Sequence, residues 1–143
     1  MKARMGTALL VGIGLGLLFS PRPLVAQACK DEESMVIEEK KTFAELVDAV
    51  KKESLADFQK DYHQKTALNR LTFYDTMTGG LVSCLEKASQ DTAALKEDVD
   101  AAKAKHDLYA SLKAKIDHER DTLKATQNAK DAKALIEKSE VVK

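Results

Sequence analysis

Residues 81–126 read LVSCLEKASQ DTAALKEDVD AAKAKHDLYA SLKAKIDHER DTLKAT, and the spacing of their apolar positions decides the fold class. From Leu81 through Leu85, Ala88, Thr92, Leu95, Val99, Ala102 and His106 to Tyr109, steps of four and three alternate without a slip. Ile116 and Leu123 continue the phase. This is the heptad seam of a long amphipathic helix packed lengthwise on a partner. The small members Ala88, Thr92 and Ala102 let a partner backbone come close, so an antiparallel helix from the same chain is the natural candidate.

The preceding half supplies it. Phe43, Leu46, Val47, Val50, Leu55, Phe58, Tyr62, Leu68, Leu71, Phe73, Tyr74 and Met77 form a broader apolar stripe that drifts near Ser54, so a strict coiled coil is not expected there. No proline follows Pro23, the only adjacent glycines are Gly79 and Gly80, and no stretch alternates with period two. The chain is therefore expected to be all-α.

Local signals subdivide it. Thr42-Phe43-Ala44-Glu45 matches a capping box, although residues 31–41 also suit a helical turn or two. Lys51 and Lys52 followed by Ser54-x-x-Asp57 read as one helix ending and another starting. Gly79-Gly80 reads as a helix connection or a close-packed crossing. Asn128 caps a short Lys-rich tail helix from Ala129 to about Lys138, which is expected to fray.

Cysteines help to choose the topology. Cys29 and Cys84, the only two, most simply form one disulfide enclosing 54 residues and contributing roughly 4 kcal/mol. If residues 31–77 were one straight helix its ends would lie about 69 Å apart, whereas bridged Cα atoms lie within about 7 Å. A chain that folds back near Glu53 and Ser54 removes the conflict. The expected fold is thus an antiparallel bundle of three helices, roughly 32–52, 55–78 and 81–126, with a long two-helix hairpin or coiled coil as the alternative.

The first 28 residues look like a signal peptide. Lys2 and Arg4 precede an apolar run from Met5 to Phe19, Ser20-Pro21-Arg22-Pro23 breaks it, and Ala26-Gln27-Ala28 offers small residues where a signal peptidase reads. The 15-residue run is short for a membrane span. The expected domains are 1–28 as signal peptide, 29–128 as helical bundle and 129–143 as tail. The expected location is secreted or periplasmic. Cleavage after Ala28 leaves Cys29 first, so a lipoprotein anchored through Cys29 is the alternative, weakened by Ala26 where such signals usually place Leu.

Charge and motifs bound the function. The chain has 23 basic and 23 acidic residues, and Lys2, Arg4 and Arg22 fall in the leader, so residues 29–143 carry 20 against 23, a net charge of −3. With no basic block, nucleic-acid binding is set aside. Lys60, Lys103 and Lys115 stand three residues before His63, His106 and His118, so the Glu-x-x-His motif of carboxylate-rich bundle metal sites is absent. His118 with Asp117 and Asp121 is only a one-turn fragment of a zinc shell, and His106 beside Tyr109 suits a buried polar pair that sets register. Asp48 with Lys52 and Asp61 with Lys65 suit i, i+4 pairing on a solvated face. No haem, metalloprotease or phosphate-loop motif occurs.

The expectation is a non-enzymatic helical interaction or scaffolding protein of the cell envelope. It has no assigned metal ligand or cofactor, an unnamed envelope or secreted protein as partner, and surfaces compatible with oligomers. A small ligand- or metal-binding bundle is the second class.

Overall fold

A computed structural model describes residues 29–143; the expected signal peptide, residues 1–28, lies outside them. Five helices and no strand occur among the described residues: α1 (Lys30–Lys52), α2 (Leu55–Lys60), α3 (His63–Ser89), α4 (Lys96–Ala125) and α5 (Ala129–Glu137). The all-helical bundle is as expected, built on three long helices. Their boundaries differ from the expected ones.

The first reversal falls where the sequence places it. Lys51 and Lys52 close α1, suiting the negative end of the helix dipole. Ser54 then caps α2, its hydroxyl oxygen accepting from the Asp57 N–H at 3.1 Å. A second corner follows at Tyr62, whose φ of 54° and ψ of 34° put it in the left-handed region. For a residue with a Cβ this costs about 1–2 kcal/mol. Thr42 does not start a helix: it lies inside α1 and donates to the Glu38 carbonyl at 3.1 Å.

The larger correction concerns residues 78–96. Gly79 and Gly80 do not interrupt the chain but lie inside α3. Each glycine costs a helix about 1 kcal/mol relative to Ala, while Thr78 and Leu81 on either side are completely buried. Packing against α4 therefore decides the conformation. A Cβ at Gly79 would stand 3.4 Å from Cε of the Lys113 side chain on α4 and one at Gly80 would meet nothing within 4 Å, so close packing does not require either glycine.

The chain turns instead between Gln90 and Leu95, inside the stretch that the seam reads as one helix. Ser89 donates to the Glu86 carbonyl at 2.7 Å, and the Asp91 carboxylate accepts from the Ala93 N–H at 2.8 Å. Lys87 in the last turn of α3, and Glu97 with Asp98 in the first turn of α4, carry the charges that favour each terminus. Thr92 and Leu95, both on the supposed seam, are exposed; Leu85, Ala88 and Ala102 are buried. The seam belongs to two antiparallel helices whose apolar faces meet, and the connection happens to preserve its phase.

Helix α3 is the central element, packing most extensively on α4 and also on α1. Both neighbours run antiparallel to it, as the pairs Cys29–Cys84, Glu39–Arg70 and Asp75–Lys113 show. The C-terminal segment packs back over the bundle. Ala132, Ile136 and Val141 join the core, Tyr74 Oη donates to the Val141 carbonyl at 3.4 Å, and Lys40 Nζ donates to the Lys143 carbonyl at 2.7 Å. Asn128 caps α5 as expected, accepting from the Lys130 and Asp131 N–H groups. The helix packs on the bundle, because alanine and isoleucine at four-residue spacing give it an apolar stripe against α1, α2, α3 and α4.

Candidate functional site

Cys29 and Cys84 are joined in a disulfide, their Cα atoms 5.9 Å apart. The bridge holds the start of α1 against the last part of α3. Nearby, Glu33 receives Lys105 Nζ at 2.7 Å and Tyr109 Oη at 3.0 Å, linking α1 to α4. The Lys105 hydrogen bond outweighs partial burial and holds the Glu33 carboxyl below its ordinary value. Burial, then the Glu33 contact, pushes the Tyr109 phenol up to about 12.

His106 does not form the polar pair with Tyr109 expected of it. Tyr109 serves Glu33 rather than His106, and His106 Nδ1 faces Asp107 at 3.1 Å. Beside the exposed His118, Asp117 is held by Lys113 at 2.9 Å and Arg120 at 3.0 Å, and Asp121 by Arg120 at 3.1 Å. The Lys113 hydrogen bond leads in keeping Asp117 below the ordinary carboxyl value. Asp75 on α3 completes this network, accepting from Lys113 and Arg120 at 2.7 Å each. The carboxylates that made His118 look like a ligand fragment are committed to cations. His63 is different: its Nδ1 lies 2.7 Å from Glu53 Oε1 at the first corner. Asp48 pairs with Lys51, at i, i+3, rather than with Lys52.

Sequence reasoning missed the most unusual group, Glu39. It sits on α1 with 4% of its surface exposed. One carboxylate oxygen accepts from Arg70 Nη1 on α3 at 3.3 Å; the other, Oε1, is buried with no hydrogen-bond partner. Burial raises its carboxyl above the ordinary range, and Arg70 only partly opposes this. Glu119 shows the ordinary solution, with one oxygen taking the Ser139 hydroxyl and the other the Glu140 N–H, both at 2.6 Å. Over Glu39 and Arg70 lies a shallow depression of about 240 Å³ bordered by Met35, Phe73 and Met77. Met35 and Phe73 are 44% and 47% exposed. An acid inside the apolar phase of α1 was the available signal, since the steps Val36, Glu39, Phe43 keep the three-four rhythm.

A second concavity, about 190 Å³, lies among α1, α3, α4 and α5, with Phe43, Leu71, Leu123, Leu135 and Ile136 as apolar walls and His118 among its lining residues. No helix among the described residues is long and apolar enough to cross a membrane. No protein-family model, curated protein or solved structure matches this chain.

Proposed function

We propose that this chain is a non-catalytic helical interaction module of the cell envelope or the secreted space, and that it meets an envelope or secreted protein through the face shared by α1 and α3. The reading rests on Glu39. A buried carboxylate oxygen without a partner costs about 1–3 kcal/mol or more, and Oε1 of Glu39 is in that state beside exposed Met35 and Phe73. A partner that lays an apolar side chain on this depression covers Met35 and Phe73, and an N–H or O–H donor that it brings reaches Oε1, which is closed to solvent, when those rim side chains shift aside. Methionine and aromatic groups adapt well to such contacts. The Cys29–Cys84 bridge supports a location outside the reducing cytosol.

A photo-crosslinking residue at Phe73, compared with one at Lys103 on α4, tests this in producing cells. Position 73 is expected to give one discrete protein adduct and position 103 none. Equal capture at both positions, or none at either, contradicts the reading. Small-ligand binding has one observation in its favour, the 190 Å³ apolar concavity. Its volume suits a single aromatic ring, since an apolar cavity of about 150 Å³ accepts benzene. That reading predicts indole binding at one per chain, lost when Leu135→Trp fills the space; absence of saturable binding contradicts it.

A further inference from the structure

We infer that Glu53, Asp61 and His63 form a binding site for one divalent transition-metal ion of the zinc class, at the corner where α1, α2 and α3 meet. One ligand atom from each residue lies within 4.8 Å of the others, and Nδ1 of His63 is already 2.7 Å from Oε1 of Glu53. Zinc binds oxygen and imidazole nitrogen at about 2.0–2.2 Å, which sets tetrahedral ligand atoms roughly 3.3 Å apart. Small side-chain rotations reach that spacing. The ion takes the place of the proton on Nδ1 of His63: a neutral imidazole carries that proton on Nε2 instead, an imidazolium releases one to solvent, and water fills the fourth position.

The corner is pre-shaped by its backbone. Glu53 follows α1 directly, Asp61 caps the end of α2, and the left-handed Tyr62 turns the chain so that His63, the first residue of α3, comes back beside both acids. The Phe58 ring packs edge-on to the imidazole, with centroids 6.3 Å apart. Glu53 and His63 are partly buried.

Four other acids that are buried or half-buried provide a contrast. Glu33, Glu39, Asp75 and Asp117 each pair with a lysine or arginine. Among the described residues no lysine or arginine forms an ion pair with Glu53 or Asp61, although Lys52, Lys60 and Lys65 are close in sequence. Two carboxylates sharing a corner with an imidazole and no fixed cation suit a mobile one. The single nitrogen ligand favours zinc-like ions over calcium or magnesium. The site departs from the expectation that the chain holds no metal ligand, because its residues converge only through the two corners and not through Glu-x-x-His spacing.

Calorimetric titration of the untagged, disulfide-bonded protein with Zn²⁺ tests this. One ion is expected to bind per chain. Affinity is expected to fall about tenfold or more in Asp61→Asn and in His63→Ala and to stay unchanged in His118→Ala. Thermal melts establish that each variant is folded, and the exposed Asp61 keeps the test valid if His63→Ala is not. Absence of one-to-one binding, an affinity unchanged by Asp61→Asn, or equal affinity for Ca²⁺ overturns the assignment.

Discussion

At one end of the bundle Cys29 and Cys84 tie α1 to α3 covalently, and beyond that link α3 and α4 continue to the Gln90–Leu95 turn without α1 beside them. At the other end three connections converge, and every tie there is non-covalent. Ser54 and Asn128 cap their helices, and Gln64 donates to the Leu123 and Thr126 carbonyls at the end of α4. Ala132 and Ile136 bring α5 into the core. The difference separates two ways of limiting the unfolded or frayed states. The bridge acts mainly by restricting the unfolded chain, whereas the opposite end depends on burial and on satisfied helix termini.

That contrast orders the expected effects. Largest is Cys84→Ser, or reduction of the bridge, expected to lower unfolding free energy by about 4 kcal/mol in urea titrations; an unchanged midpoint removes the covalent end from the account. Next comes Ile136→Ala at the opposite end, with a cost of about 3 kcal/mol by the same assay. A frayed tail predicts almost none, so this variant separates a docked segment from a loose one. Ser54→Ala and Asn128→Ala, which remove side-chain caps, are each expected to cost about 1 kcal/mol, measured as additive shifts of the same urea midpoint.

The smallest effects are in pH dependence, where two acids of α1 behave oppositely. Glu33, held by Lys105 below the ordinary value of 4.5, stabilises the fold above that value, and this contribution disappears as pH falls. Glu39, raised by burial above 4.5, makes the fold bind the proton more tightly than the unfolded chain does, so its contribution worsens as pH rises through that range. Stability profiles between about pH 3 and 7 are expected to show Glu33→Gln flattening the acid-side loss. Glu39→Gln is expected to be more stable than the parent near neutrality, with the difference vanishing in acid. Reversed signs contradict the assigned environments.

Much of this architecture is legible in local sequence. Helical content follows from the spacing of Leu81 to Tyr109, the reversal at Ser54 from its cap signal, and the disulfide from two cysteines that one straight helix keeps apart. What escapes local reading is decided by tertiary packing. A four-three seam cannot by itself distinguish one long helix from two antiparallel ones whose connection preserves phase, as at Gln90–Leu95. The modest helix penalty at Gly79 and Gly80 yields to burial of Thr78 and Leu81. The tail's lysines hide an apolar stripe that only its packing partners reveal. Glu39 and the corner formed by Glu53, Asp61 and His63 are assembled from separate segments, so no linear motif marks them.

The packing of α4 on α3, and with it the 190 Å³ concavity that α4 helps to line, depends on the chain reversing at residues 90–95. Pulsed electron spin resonance between labels carried by non-cysteine residues at positions 83 and 114, both exposed, measures this directly. Antiparallel packing predicts a backbone separation of about 15 Å, from helix axes roughly 8–10 Å apart and a short axial offset. A distance near 46 Å, the span of one uninterrupted helix at about 1.5 Å per residue, contradicts it.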